Sequence, residues 1–321
     1  MKKQGVESIN TFKIFSGTSN HKLASAIARY VGMPLGKIVV GRFPNGEIRV
    51  EIKESVRGFD VFIIQSTCPP VNDNIMELLI MIDAFKRASA SSITAVMPYF
   101  GYAKQDKKKS GREPISARLI ADLLERAGVN RVVTIDIHAA QIAGFFNLPM
   151  ENLTAMSLFA DHLKHLKNTV AVSPDAGGVK RARDLANRLN AHRIAVIDKY
   201  RPDFRKATAM NVIGKVSGFN AIIIDDFIDT GGSMKEAVEA VLNHGAKSVR
   251  IAFTHALMTP PAKERLEPLN ITEIITTDTI PARGDRATSN MKILSTAAML
   301  GDTIKRIMGK KSLRTYWPTE R

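Results

Sequence analysis

Apolar and polar positions along this chain follow two rhythms. Short, continuous apolar runs at 12–15, 61–65, 93–97 and 131–136, bounded by polar or turn residues, predict buried strands. Between them, 75–88 and 115–127 carry apolar residues at helical spacing and predict helices. The second half repeats the alternation. Its predicted strands are Thr169–Ser173, 193–197, 221–225, 249–254 and 273–276, and its predicted helices are 180–189, 235–243 and Ala262–Leu266. Strands that are apolar on both faces and separated by helices belong to parallel sheets covered by helices on both sides. The expected fold class is therefore α/β. At 321 residues the chain is long enough for two cores, and a boundary is expected near 152–156, giving domains 1–154 and 155–321. Residues 283–290, charged and punctuated by small side chains, are expected to form a surface loop.

Composition narrows the picture. Hydrophobic residues make up 45% and charged residues 24%, ordinary values for a globular protein. No apolar run reaches membrane-spanning length. The start, Met1-Lys2-Lys3-Gln4, lacks the apolar stretch of a secretory signal, and Cys68 is the single cysteine, so a cytoplasmic setting is expected. The net charge of +15 raises nucleic acid as a partner. The basic residues are dispersed, however, with dense spots at 104–112, 180–193 and 199–206, and no nucleic-acid module is visible. A polyphosphate substrate calls for the same sign of charge, so neither nucleic acid nor membrane is the expected partner.

Open parallel sheets bind ligands beyond the carboxyl ends of their strands. The conspicuous loops, at 98–112, 136–141, 174–178 and 225–233, each follow a predicted strand. The richest is the last. The apolar run 221–224 meets Asp225 and Asp226, and a turn with Asp229, Thr230, Gly231, Gly232 and Ser233 then opens a helix. That order suits a phosphorylated sugar: backbone N–H groups and the helix N-terminus take the phosphate. The acids take ribose hydroxyls, directly or through Mg2+. Ser233 fits as an N-cap, with Glu236 completing a capping box. The plain alternative is an ordinary strand–turn–helix, yet three carboxylates around a Gly-Gly turn are poor packing material.

This stretch resembles the 5-phosphoribosyl-1-pyrophosphate (PRPP) binding motif shared by type I phosphoribosyltransferases and ribose-phosphate pyrophosphokinases, or PRPP synthetases. Further segments resemble the synthetases in the family's order, so that the resemblance runs from about residue 12 to 306. In the turn Arg42-Phe43-Pro44-Asn45-Gly46-Glu47 it implies that Phe43 stacks on adenine while Asn45 and Glu47 hydrogen-bond its edge. In the basic segment 98–114 it implies ATP contacts from Lys104, Gln105 and Asp106; Lys104 stands where Arg is usual and lacks the planar fork. After the strand 131–135, Asp136-Ile137-His138, followed by a closely similar 142–149, implies His138 as a Mg2+ ligand. Asp175, in the strand–loop–helix junction 172–180, is implied as the second. Lys199 and Arg201 match a flap pair that contacts the transferring diphosphoryl group, with Tyr200 where another Arg is usual.

The resemblance implies two tandem phosphoribosyltransferase-type (Rossmann-like) domains, an ATP-side domain at 1–154 and a ribose 5-phosphate/PRPP domain at 155–321. It implies the reaction ATP + D-ribose 5-phosphate → PRPP + AMP, with Mg2+ as cofactor, and a homo-oligomer, a hexamer built of dimers. For the base that accepts the 1-hydroxyl proton, metal activation and Asp225 both stand open. Ala143 and the tail 310–321 depart from the family and imply altered activation by inorganic phosphate. A type I phosphoribosyltransferase consuming PRPP, a non-catalytic synthetase paralogue and a nucleic-acid-binding protein are the rival readings. No Gly-x-x-x-x-Gly-Lys-Ser/Thr occurs, the nearest run being Gly36 to Arg42, and no Gly-x-Gly occurs. A P-loop kinase and a dinucleotide site are thereby disfavoured.

Overall fold

The computed structural model describes residues 11–191, 193–200, 209–282, 284 and 287–317. The chain divides into two compact units. One holds the described residues up to Asn152 together with Ala297–Leu313, and the other holds Leu153–Thr296 with the described residues from Arg314 onward. A single cut after residue 154 therefore misses the return of 297–313 to the first unit. That return has a local cause. A helix over Ala297–Met308 packs on one over His21–Val31, where Gly301 lies so close to Tyr30 that an added Cβ would sit 2.5 Å from the ring. Lys305 also donates to the Tyr30 carbonyl at 2.9 Å.

In the first unit, β1 (Phe12–Ser16), β4 (Asp60–Ile64), β5 (Ser92–Met97), β6 (Arg131–Ile135) and β7 (Met150–Leu153) form a sheet in the order β1-β4-β5-β6-β7. The pairs β1–β4, β4–β5 and β5–β6 are parallel. These strands read as unbroken apolar runs because both faces are covered; Val61, Phe62, Ile63 and Ile64 are all at most 2% exposed. Helices α2 (Val71–Arg87) and α3 (Ser116–Ala127) pack on them, and the Phe15 and Phe85 rings meet at 4.6 Å between sheet and α2. Strands β2 (Ile38–Arg42) and β3 (Ile48–Ile52) form a separate antiparallel hairpin. Helix α1 (His21–Val31), not among the predicted elements, buries Leu23, Ala24, Ile27 and Ala28 as one stripe. Asn20 caps it by accepting from Leu23 N at 3.2 Å, and Gly32, at φ 85°, ends it.

In the second unit, β8 (Thr169–Ser173), β9 (Ile194–Tyr200), β10 (Ala209–Ile213), β11 (Asn220–Ile228), β12 (Ser248–Ala256), β13 (Glu273–Thr277) and β14 (Met291–Leu294) are ordered β10-β9-β8-β11-β12-β13-β14. Only β10 runs antiparallel to its neighbour among these described strands. Helices α4 (Met156–Leu163), α5 (Val179–Arg188), α6 (Gly232–Asn243) and α7 (Ala262–Leu266) complete this unit, and α8 (Ala297–Met308) belongs to the first. Two details differ from the sequence reading. Strand β11 continues past its acids, because pairing with β12 persists through Asp225 opposite Phe253 to Ile228 opposite Ala256. Helix α6 is capped by Gly231, at φ 74° and without a side-chain bond, so Ser233 lies inside the first turn and is not the N-cap. No helix among the described residues is long and apolar enough to cross a membrane.

Candidate functional site

Strands β5 and β6 are parallel neighbours, so the segments leaving their carboxyl ends start side by side. After β5, Gly101 N donates to Thr67 Oγ1 at 2.7 Å. A Cβ at Gly101 would lie 2.6 Å from the Thr67 carbonyl, so a side chain there would displace the turn. Tyr102 follows at φ 66°, its hydroxyl donating to Asn72 Oδ1 at 2.5 Å. This turn presents Lys104 half-buried, Gln105 exposed and Asp106 buried. Gln105 also fixes the start of α3, accepting from Ser116 Oγ at 2.6 Å and, through its carbonyl, from Ala117 N at 3.2 Å. The exposed cations Lys107, Lys108, Lys109 and Arg112 follow. Glu113 closes the loop by accepting from Lys109 N at 2.7 Å and Ser110 N at 3.1 Å. Those backbone donors hold its carboxyl below the usual carboxylate range.

After β6 the chain turns at Asp136, which adopts φ 39°, and Ile137 N is held by Asn152 Oδ1 at 3.0 Å. His138 stands exposed. Gln141 then donates to Asp106 Oδ2 at 2.5 Å, joining the His138 segment to 104–106. The hairpin turn makes up the rest of this unit's set. Gly46 N donates to the Phe43 carbonyl at 2.9 Å, Phe43 N to the Glu47 carbonyl at 2.8 Å, and Glu47 N to Asn45 Oδ1 at 3.2 Å. The closed turn leaves Phe43 47% exposed, an apolar side chain open to stacking, with Asn45 and Glu47 exposed beside it. Arg42 ties the turn to the start of α2 through Asp73 at 2.9 Å, next to the Asn72 that holds Tyr102.

In the second unit β9, β8 and β11 are neighbours, so their carboxyl ends bring Lys199, Asp175 and 225–233 to one sheet edge. Lys199 and Tyr200 belong to β9 rather than to an irregular segment, with Lys199 paired opposite Met210. Arg201 and the rest of the expected flap lie outside the described residues. Asp175 is exposed, and its Oδ1 accepts from Gly178 N at 3.0 Å. At the end of β11, Asp225 Oδ1 accepts from Asp226 N at 2.9 Å and from Arg181 Nη1 at 3.0 Å. Arg181 Nη2 lies 3.6 Å from Asp226 Oδ2. Burial, and then the neighbouring Asp226 charge, push the Asp225 carboxyl well above the usual carboxylate value, against the pull of Arg181.

Asp229 is engaged within its own loop, accepting from Thr259 Oγ1 at 2.5 Å and, through its carbonyl, from Thr259 N at 3.0 Å. The Thr230 carbonyl accepts from Arg265 Nη1 at 3.0 Å. Gly231 is pressed against α7, where an added Cβ would lie 3.2 Å from Ala262 Cα. The loop therefore delivers Gly232 and Ser233 to the N-terminus of a 12-residue helix, where the first N–H groups of a helix lack intrahelical partners and suit an anion. Arg181 and Arg265 were not singled out from the sequence. Each meets the site only through tertiary contact, Arg181 from a stretch where several basic residues look alike.

Among the described residues no group of three or more His, Cys, Asp or Glu gathers as a ready-made metal cage. A hard cation held by one or two carboxylates and otherwise by substrate phosphates is the usual mode for Mg2+. The exposed Asp175 of the second unit is a donor of that kind, whereas the exposed His138 of the first unit offers an imidazole, an uncommon ligand for so hard an ion.

Comparison with known proteins places the chain in a family. Residues 12–128 match the family described as the N-terminal domain of ribose phosphate pyrophosphokinase, and residues 200–317 match the phosphoribosyl synthetase-associated domain. A ribose-phosphate pyrophosphokinase of Oceanobacillus iheyensis is 48% identical over 306 residues, 95% of this chain and 96% of that protein. One of Caldanaerobacter subterraneus subsp. tengcongensis is 50% identical over 301 residues, covering 93% and 95%. The crystal structure of phosphoribosylpyrophosphate synthetase from Mycobacterium smegmatis superposes with a TM-score of 0.88 at 41% identity, covering 94% of this chain and 99% of that one. Fold and site thus define an α/β transferase of two tandem phosphoribosyltransferase-type units, with parallel sheets flanked by helices. The chain belongs to the ribose-phosphate pyrophosphokinase family.

Proposed function

We propose that this chain transfers the β,γ-diphosphate of ATP to the 1-hydroxyl of D-ribose 5-phosphate, giving PRPP and AMP for nucleotide biosynthesis. One observation carries the reading. Relatives named for this activity match along 93–95% of the chain, so both units are accounted for. A transferase that consumes PRPP would need only the second.

In this reading Phe43 stacks on adenine, with Asn45 and Glu47 at its edge, while Lys104, Gln105 and Asp106 meet the nucleotide's phosphates and base. Thr230, Gly231, Gly232 and Ser233 seat the 5-phosphate on the start of α6, in a loop braced by Asp229. Asp225 and Asp226 orient the 2- and 3-hydroxyls. Lys199 and Arg201 stabilise the charge that develops on the transferring group. The chemistry asks mainly for two polyanions held in line, with their charge offset. Mg2+, for which His138 of the first unit and Asp175 of the second are the candidate ligands, would supply charge neutralisation on the triphosphate when bound. The proposal extends to a cytoplasmic homo-oligomer, a hexamer of dimers. It extends also to altered phosphate activation through Ala143, which lies in the 3-10 turn Ala140–Phe145.

The test is incubation with ATP, Mg2+ and ribose 5-phosphate. PRPP and AMP should appear in equal amounts, and Lys199→Ala should lower kcat by about two orders of magnitude or more. Near-normal turnover in that variant would remove Lys199 from its role; nucleotide formed from PRPP and a free base would favour the phosphoribosyltransferase instead.

A further inference from the structure

We propose that Arg181 is the positioning residue of the sugar subsite, bridging the buried Asp226 to Asp225 so that the Asp225 carboxylate is held on the open side to meet the ribose hydroxyls. The inference rests on the function proposed above. Consecutive strand residues point to opposite faces of a sheet, so two neighbouring acids do not by themselves serve one ligand. Here one guanidinium reaches both, with Nη1 at 3.0 Å from Asp225 and Nη2 at 3.6 Å from Asp226. The planar fork of arginine spans two acceptors in a way that the single ammonium of lysine does not.

Burial assigns the roles. The Asp226 side chain is 4% exposed, Arg181 20% and Asp225 27%. The arginine thus braces the pair from within the protein, and Asp225 keeps the open side. Two carboxylates so close in a shielded place repel one another, and the guanidinium between them offsets part of that repulsion, although burial and Asp226 still keep the Asp225 carboxyl above its ordinary value. Arg181 also has a second connection. It stands on the first turn of α5, three residues after Gly178, whose N–H holds the Asp175 carboxylate. One helix start therefore carries both the Asp175 loop and the brace on the sugar-binding acids.

Steady-state kinetics of the full chain, with each substrate varied at saturation of the other, separate this role from a merely structural one. Arg181→Gln should raise the KM for ribose 5-phosphate by about tenfold or more and leave the KM for ATP within about twofold. Arg181→Lys should fall between wild type and Arg181→Gln, because one ammonium serves one carboxylate. Equal rises in both KM values, an unchanged sugar KM, or a lysine variant no better than glutamine would overturn the proposal. If Arg181→Gln does not fold, the lysine variant decides alone: an elevated sugar KM with a normal ATP KM supports the brace, and wild-type values overturn it. If the wild type makes no PRPP, the proposed function fails separately. Calorimetric binding of ribose 5-phosphate then tests Arg181 directly, with weaker binding in the variants expected and equal binding contradicting it.

Discussion

Gln141 donates to the buried Asp106 at 2.5 Å, fastening the segment that follows β6 to the one that follows β5. The two segments are neighbours only because β5 and β6 pair in parallel. Gln141→Leu removes the donor and leaves a buried carboxylate short of a partner, at a cost of about 1–3 kcal/mol. The expected outcome is a KM for ATP raised by about tenfold, with the KM for ribose 5-phosphate little changed. Steady-state kinetics with each substrate varied check it.

Phe43 contributes little to the fold, since the residue is 47% exposed. Loss of base stacking costs about 1–3 kcal/mol per base. Phe43→Ala should therefore raise the KM for ATP by roughly one order of magnitude and leave Tm within about a degree of wild type. A thermal scan alongside the kinetics distinguishes this from general damage.

Gly231 is required by its backbone and by its neighbour. It sits at φ 74°, and a Cβ there would lie 3.2 Å from Ala262 Cα and 3.3 Å from the Ala262 carbonyl oxygen. Gly231→Ala should cost about 1–3 kcal/mol, seen as a Tm several degrees lower. It should also weaken ribose 5-phosphate binding, because the loop that presents the α6 N-terminus must shift.

Asp225 predicts a pH dependence. Its carboxyl is raised in the folded protein from an ordinary value of 3.8, chiefly by burial and then by Asp226. The folded state therefore holds its proton at a pH where the unfolded chain has released it. This group's contribution to stability is full below about 3.8 and is lost as pH rises through the elevated folded value. Asp225→Asn escapes that loss. Its Tm should exceed wild type by a few degrees at neutral pH, with the difference vanishing near pH 4, while PRPP formation collapses. Thermal scans across pH, paired with assays, test both halves; a neutral-pH Tm below wild type contradicts the assignment.

The sheets were legible because β4, β5, β8 and β11 are buried on both faces and read as unbroken apolar runs. Strand β14 escaped notice because Lys292 and Ile293 are exposed, which breaks the pattern at the sheet edge. Helix α1 does carry an apolar stripe, Leu23, Ala24, Ile27 and Ala28, but half of it is alanine, so the stripe stands out less in the sequence than the apolar runs of the strands. At the site, the Asp225-to-Ser233 stretch was legible because its acids and glycines are contiguous. The capping of α6 was misread because a glycine in left-handed geometry took the place that Ser233 suited by composition. Arg181 was invisible because its partners lie 44 and 45 positions away, and only packing of α5 against β11 brings them together.

The central claim is that a diphosphoryl group moves as a unit onto the sugar. Reaction with ATP labelled at the β-phosphorus tests it most directly. The predicted result is label in PRPP, with unlabelled AMP released in equal amount. Label remaining on a released nucleoside diphosphate would mean transfer of a single phosphoryl group and would contradict the account.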